Sequence, residues 1–378
     1  MLVLLTSVEA VAPGGVPDPT LVQALLELQA SGTPIAIVSN HARPAWLAPL
    51  AAGGVHFATV GSRQNGQLIH TIAKNVKGAT HDVLVLAATR DDVMMGKNGK
   101  AVLVAAPSST DPAVRGLGID IPDAKGLKEV IALASGWQGH WWFSVDAVHY
   151  RVRALSDLSS KGTQPLTQVE FSRRVTATVK GGGPRLMALL TVTSRSLLRD
   201  GVADLSEQMW GVYPSSASTN DDSDTLSDFT HRLRSTTSRV HFAKRGCPLF
   251  IRHRASAKRS APGSTLSRVD PASQVETIHL NPEYRYKIGG RNVFVVDDCT
   301  TYGLSFGVAA AFLRKAGASS VTGVALGKFG NQFHQFDITI KSDPFSPVAA
   351  GNYVCKGANS SPGATNAEAQ ETLRSIIT

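Results

Sequence analysis

Cysteine is scarce in this chain of 378 residues, and long apolar runs are absent. The three cysteines, Cys247, Cys299 and Cys355, show no CxxC or metal-ligand spacing, and so sparse and odd a set favours a reducing cytoplasm over a disulfide-bonded secreted fold. No apolar run approaches the roughly 20 residues of a membrane-spanning helix, so we expect no membrane insertion. The run from Met1 to Leu5 lacks the basic start and the cleavage site of a signal peptide.

Acidic residues are fewer than basic ones. The chain has 29 Asp and Glu against 38 Lys and Arg, which gives a formal net charge of +9. A basic surface favours anionic ligands or nucleic acid.

The length exceeds the size at which a single core usually divides, and 43% hydrophobic residues can fill two cores. We therefore predict an α/β protein of two domains.

The segment from Val293 to Ser305 carries the clearest chemical pattern. Val293 to Val296 is a continuous apolar run, typical of a strand that is covered on both faces of a parallel sheet. Asp297 and Asp298 then follow at the carboxyl end of that strand, where open α/β sheets bind ligands. The next six residues can present successive backbone N–H groups to an anion at the start of a helix: Thr300, Thr301, Tyr302, Gly303, Leu304 and Ser305. Two carboxylates would repel a phosphate, so we expect them to bind sugar hydroxyls or a divalent ion, and the pattern indicates a phosphorylated ribose.

This segment resembles the signature of the type I phosphoribosyltransferases, which is four apolar residues, two acids, two further residues and then Thr-x-Gly-x-Thr/Ser. Asp297 and Asp298 match the acidic pair, which in that family holds the ribose hydroxyls of phosphoribosyl pyrophosphate (PRPP), and Thr301 to Ser305 match the 5′-phosphate loop. The resemblance implies Mg²⁺-dependent transfer of phosphoribosyl from PRPP to a nucleobase-like nitrogen acceptor, or the reverse reaction, with the two aspartates as catalytic and metal-binding residues. Tyr302 departs from the usual small residue. An ordinary turn with a solvated acid pair is the alternative.

Two further segments resemble parts of the same family. Lys328 and Phe329, at the end of the next predicted strand, resemble the acceptor-binding lysine and aromatic residue, although a solvated lysine and a core phenylalanine explain them equally well. The small residues Ser215, Ser216 and Ala217 resemble the pyrophosphate loop. We interpret four later cations as a mobile loop that closes over pyrophosphate: Arg252, Arg254, Lys258 and Arg259. The alternatives are a solvated face or a nucleic-acid patch.

The N-terminal third has predicted strands at Leu2 to Leu5, Pro34 to Val38 and Val83 onward, and the last of these runs into Asp91 and Asp92. This strand-then-acid segment resembles that of the haloacid dehalogenase (HAD) hydrolases. Ser39 matches the phosphate-binding residue of that family, and Asp92 matches the second metal carboxylate. Ser7 stands at the nucleophile position, Glu9 at the acid/base position and Ala88 at the first metal aspartate. Phosphoaspartyl chemistry needs carboxylates there, so we expect no phosphatase activity and a binding or dimerisation role instead. An α/β domain unrelated to the HAD hydrolases is the alternative.

These landmarks predict a HAD-like Rossmannoid sheet over 1–145 and a phosphoribosyltransferase-type parallel sheet with helices on both faces over 201–345. Residues 146–200 are predicted as a connecting or hood segment, and 346–378 as a C-terminal tail. We expect a homodimer, the commonest symmetric assembly. Two other functions remain open: a PRPP- or nucleotide-sensing regulator or nucleic-acid-binding protein, and a component of a bacterial stress or defence operon.

Overall fold

The structure is a computed structural model, which describes residues 1–256 and 269–377. The chain forms two compact units. Unit 1 comprises Met1–Gly139, Met187–Asp204 and Arg232–Arg239, and unit 2 comprises His140–Leu186, Leu205–His231 and Val240–Thr378. These bounds differ from the predicted ones, since the segment 146–200 is divided between the units and the tail belongs to unit 2.

Strands and helices alternate along most of the chain. The strands are β1 Val3–Ser7, β2 Ile35–Ser39, β3 His56–Thr59, β4 Val83–Ala87, β5 Val102–Ala105, β6 Phe143–Asp146, β7 Arg151–Asp157, β8 Gln208–Val212, β9 His241–Phe242, β10 Phe250–Arg252, β11 Ile278–Leu280, β12 Asn292–Thr300, β13 Ser320–Lys328, β14 Gln332–Ile340, β15 Tyr353–Pro362 and β16 Ala364–Thr365. The helices are α1 Val8–Val11, α2 Pro19–Ala30, α3 Ala48–Ala52, α4 Gln67–Asn75, α5 Arg90–Gly99, α6 Pro112–Arg115, α7 Ala124–Gly136, α8 Leu166–Gly181, α9 Arg185–Arg199, α10 Thr225–Thr237, α11 Ala272–Val275, α12 Leu304–Lys315 and α13 Ala367–Ile376. Within the described part of the chain, no helix combines the length and the apolar character needed to cross a bilayer.

Unit 1 is built on a sheet of five parallel strands in the order β3-β2-β1-β4-β5. Strands β1, β4 and β5 are buried along their whole length, because helices cover both faces of a parallel sheet. Asp18 caps α2 by accepting hydrogen bonds from the N–H groups of Thr20 (2.8 Å) and Leu21 (3.2 Å). From β1 the chain adds β2 and β3 on one side of the sheet, and it then crosses to the other side of β1, where it adds β4 and β5. The topological switch point therefore lies between the carboxyl ends of β1 and β4.

Unit 2 is built on a seven-stranded sheet in the order β16-β6-β7-β13-β12-β8-β9. Five adjacent strands run parallel, namely β7, β13, β12, β8 and β9, and β6 and β16 pair antiparallel at one edge. Strand β7 pairs with β13 inside this sheet, although its residues were predicted to lie in a connecting segment. Strand β12 is the middle one of the five parallel strands, and β12, α12 and β13 confirm the predicted strand–helix–strand unit. The α/β fold class with parallel sheets is confirmed in both units.

Candidate functional site

Two adjacent carboxylates lie near the carboxyl end of strand β12 of unit 2. Asp297 Oδ2 accepts a hydrogen bond from Ser305 Oγ (2.7 Å), and Asp297 Oδ1 accepts one from the Asp298 N–H (2.9 Å). Both side chains are half-buried, and no described Lys, Arg or His forms an ion pair with either of them. Burial raises the pKa of Asp297 well above its ordinary value, and the neighbouring Asp298 charge adds to this rise. The pair therefore has no ion-pair partner, although the Arg252 charge acts on Asp297 at longer range, and it favours a ligand that brings hydroxyl groups or a metal ion.

The predicted phosphate loop joins β12 to α12 through a glycine in the left-handed region. Gly303 has φ +84°, and a side chain there would clash with the buried ring of Phe333. The Gly303 N–H donates to Thr300 Oγ1 (3.0 Å), while α12 begins at Leu304 without a side-chain cap. Tyr302 packs against His334, with ring centroids 4.5 Å apart. The larger residue in the loop is thus accommodated by an aromatic neighbour, and the first turn of α12 retains N–H groups that can bind an anion.

Lys328 lies fully buried beneath this loop rather than at an open acceptor site. Its Nζ donates to the carbonyls of Thr301 (2.6 Å), Gly330 (2.7 Å) and Gln332 (2.6 Å), and it lies 4.7 Å from the ring centroid of Phe143. Burial lowers the pKa of Lys328 to about 8. Since all three N–H donors are engaged, Lys328 could contact an acceptor base only by breaking one of these three hydrogen bonds. Phe329, the other predicted acceptor residue, is half-buried at the same strand end.

The predicted pyrophosphate loop follows β8, with Ser215 and Ala217 exposed and Ser216 half-buried. Arg252 lies beside it, but as a buried residue of β10 and not as a cation of a mobile loop. Its guanidinium donates to the carbonyls of Pro214 (3.0 Å) and Ser215, because its position in β10 aims the side chain at the end of β8. Two side chains also accept from it, Thr277 Oγ1 (2.7 Å) and Gln274 Oε1 (3.2 Å).

Of the other predicted loop cations, the structure describes Arg254. Arg254 is exposed and donates to the carbonyl of Glu276 (3.3 Å). Lys258 and Arg259 lie outside the described residues. A cation that the sequence did not single out is Lys180, near the end of α8. Burial raises the pKa of the Cys299 thiol, Asp298 and Asp297 add to this rise, and the Lys180 charge opposes it, so Lys180 lies within electrostatic reach of the β12 end.

Three of the predicted HAD-like residues, Ser7, Glu9 and Asp92, lie with Arg63 and Thr89 in one polar cluster, which we call the Arg63 cluster. Asp92 is fully buried at the start of α5, where it and Thr89 form a reciprocal capping box. Its Oδ2 accepts from Ser7 Oγ (2.8 Å) and from the N–H groups of Ala88 and Thr89 (each 3.0 Å). Arg63, which sequence reasoning missed, places Nε 3.2 Å from Asp92 Oδ1 and Nη1 3.3 Å from Glu9 Oε2.

The Arg63 guanidinium is a protein cation that neutralises the carboxylates of this cluster. Burial raises the pKa of Asp92, and the Arg63 charge opposes this rise. Ser39, the predicted phosphate ligand, is buried at the end of β2, and its Oγ accepts from the His41 N–H (3.0 Å). Over residues 1–256 and 269–377, no group of three His, Cys, Asp or Glu side chains could hold a metal ion. The cluster thus has the composition of ion pairs around Arg63 rather than of a metal centre.

Comparisons with known proteins find only weak structural similarity. No protein-family model matches the chain, and no curated protein matches it. Among solved structures, the cobalt-bound deoxy-D-mannose-octulosonate 8-phosphate phosphatase of Haemophilus influenzae is similar with 14% identity and a TM-score of 0.28, over 37% of this chain and 91% of that one. A putative HAD family hydrolase of Streptomyces avermitilis is similar with 16% identity and a TM-score of 0.25, over 30% of this chain and 71% of that one. At these TM-scores, no residue role is transferred from either structure.

Proposed function

We propose that unit 2 binds PRPP and transfers its phosphoribosyl group to a nitrogen acceptor, or catalyses the reverse reaction. The observation that carries this proposal is the end of β12. Asp297 and Asp298 have no ion-pair partner in the described structure, and an uncapped helix start follows them across a glycine turn. Hydroxyl-binding carboxylates beside phosphate-binding amides match the two ends of a 5-phosphoribosyl group.

Each part of the site has a role in this reaction. Asp297 and Asp298 would accept hydrogen bonds from the ribose hydroxyls, and the loop from Thr301 to Ser305 would hold the 5′-phosphate. Both contacts fix the sugar while C1 becomes oxocarbenium-like and pyrophosphate departs towards the loop Ser215 to Ala217. Such a site can accelerate the reaction by positioning the substrate and by stabilising the transition state electrostatically.

The residues at the site also fit the predicted Mg²⁺. Mg²⁺ is commonly held by one or two carboxylates together with substrate phosphates, and Asp297 and Asp298 offer that number. When bound, the ion would neutralise charge on the leaving pyrophosphate. The protein alone offers no complete cage among its described residues, so we expect tight Mg²⁺ binding only together with a phosphorylated ligand.

The direct test is turnover of PRPP. The protein is mixed with Mg²⁺, PRPP and single nucleobases, and pyrophosphate release is followed. We expect release that depends on the nucleobase and disappears in the Asp297→Asn, Asp298→Asn double variant. Release that persists in the double variant would contradict the assignment of the site, and binding of PRPP without release for any base would favour the second candidate.

The second candidate is a PRPP- or nucleotide-sensing protein without turnover. The engaged ammonium of Lys328 favours it, because the predicted acceptor lysine already binds three backbone carbonyls. In that case PRPP or a nucleoside monophosphate should bind at residues 297–305 without chemical change. Nucleic-acid binding would instead show strong salt dependence, which oligonucleotide titrations at several salt concentrations detect.

We propose that unit 1 has no phosphatase activity. Ser7 stands where a carboxylate nucleophile is required, and Arg63 supplies the positive charge that a metal ion would otherwise provide. Assays with small phosphomonoesters and Mg²⁺ should show no phosphate release above background. Release that is abolished by Ser7→Ala would overturn this proposal.

A further inference from the structure

Each of the two loops proposed to bind phosphate groups lies against one buried cation. Arg252, 5% exposed, donates to the carbonyls of Pro214 and Ser215 in the pyrophosphate loop. Lys328, which is fully buried, donates to the carbonyl of Thr301 in the 5′-phosphate loop. In both places the cation contacts the loop backbone and leaves the loop side chains untouched.

These contacts fix the direction of the loop amides. In a trans peptide the C=O and the next N–H point in opposite directions. Since the carbonyls of Pro214 and Ser215 point at Arg252, the N–H groups of Ser215 and Ser216 point away from it. The carbonyl of Thr301 points at Lys328, so the N–H of Tyr302 points away from Nζ.

None of these three N–H groups has a hydrogen-bond partner among the described residues. Backbone N–H groups that point outward together form a concave site for an anion. A buried cation on the opposite side of the peptide adds a favourable potential for the same anion. Orientation and charge therefore favour the binding of a phosphate group at both loops.

We propose that Arg252 and Lys328 are positioning residues, which turn the amides of the pyrophosphate loop and of the 5′-phosphate loop, respectively, towards the ligand. The proposal rests on the proposed function. It replaces two of the roles predicted from the sequence: Arg252 acts from below the loop rather than by closing over it, and Lys328 acts on the phosphate loop rather than on the acceptor.

The test uses two ligands that occupy one loop each, namely inorganic pyrophosphate and ribose 5-phosphate, both with Mg²⁺. Calorimetric affinities are measured for the natural protein, for Arg252→Gln and for Lys328→Gln. We expect Arg252→Gln to lose tenfold or more in pyrophosphate affinity and less than threefold in ribose 5-phosphate affinity, and Lys328→Gln to show the reverse. Arg252→Lys, which keeps a cation and three N–H donors, should recover part of the loss.

A purely structural role would lower both affinities together, so equal losses in each variant would overturn the inference, and so would unchanged affinities. A natural protein that binds neither ligand overturns the proposed function itself. If a variant fails to fold, NMR of the natural protein still tests the inference. Its backbone amide NMR signals should shift at Ser215 and Ser216 with pyrophosphate and at Tyr302 with ribose 5-phosphate, and binding without these shifts would overturn the inference.

Discussion

The carboxylates at the sheet ends of the two units differ in what neutralises them. In unit 1, Asp92 and Glu9 both contact the buried guanidinium of Arg63. In unit 2, Asp297 and Asp298 have no ion-pair partner in the described structure, and burial raises the pKa of Asp297. Both pairs lie where parallel sheets bind ligands. The comparison teaches that the same position in a parallel sheet can hold carboxylates paired with a protein cation or carboxylates without an ion-pair partner.

This difference predicts opposite consequences of substitution. A carboxylate with an internal partner stabilises the fold, whereas a carboxylate without one is costly to the fold and contributes to ligand binding. Substitutions in unit 1 should therefore change stability, and those in unit 2 should change affinity.

The largest expected effect is that of Arg63→Met in unit 1. This change leaves Asp92 buried without its counter-ion, so the free energy of unfolding should fall by about 3–5 kcal/mol, as measured by urea denaturation. The control is Lys128→Met, which breaks an ion pair with Glu27 whose partners are 44% and 48% exposed and should cost less than about 1 kcal/mol. Equal losses in the two variants would contradict the role of the Arg63 cluster.

The Asp297→Asn, Asp298→Asn variant should show the converse in unit 2. Each charged hydrogen bond contributes about 1.5–3 kcal/mol, so PRPP affinity should fall by a few kcal/mol. The free energy of unfolding should be unchanged or higher, because the repulsion between the two carboxylates is removed. Calorimetry and urea denaturation of the same sample measure both quantities, and a loss of stability comparable to that of Arg63→Met would remove the contrast between the units.

Alanine substitutions at two glycines of unit 2 distinguish the cost of backbone strain from the cost of a steric clash in the phosphate loop. Gly303 and Gly330 both have positive φ, +84° and +70°, but only a side chain at Gly303 would meet the Phe333 ring, whereas one at Gly330 meets nothing within 4 Å. Gly330→Ala should therefore cost only the left-handed strain of about 1–2 kcal/mol. Gly303→Ala should cost more and should also weaken binding of ribose 5-phosphate. Equal effects in thermal denaturation and calorimetry would show that Phe333 does not define the loop.

The smallest expected effect is a pH dependence. Below its pKa of about 8, Lys328 has three N–H donors for three carbonyls, and above it only two. Affinity for ribose 5-phosphate should thus be highest below about pH 8 and fall as the pH rises through that value. Titrations between pH 7 and 9 measure this fall, and the Lys328→Gln variant should lack it. A fall of the same size in the variant would assign the pH dependence to another group.

The sequence predicted those parts of the fold that depend on local patterns. The apolar run before Asp297, the glycine turn and the helix after it are encoded within about twenty residues, and β12 and α12 are found there. The roles of Arg63, Arg252 and Lys328 depend on partners that lie far along the chain, such as Asp92 for Arg63 and Pro214 for Arg252. The domain bounds differed for the same reason, because β7 joins the sheet through β13, far along the chain.

The most direct measurement compares PRPP titrations, with Mg²⁺, of the natural protein, of the Asp297→Asn, Asp298→Asn variant and of Glu9→Gln. Glu9 belongs to the Arg63 cluster but has a 41% exposed side chain, so its substitution should leave the fold intact. We predict equal binding by the natural protein and Glu9→Gln, and loss of binding in the double variant. Unchanged binding by the double variant, or loss of binding in Glu9→Gln, would contradict the assignment of the ligand site to the carboxyl end of β12.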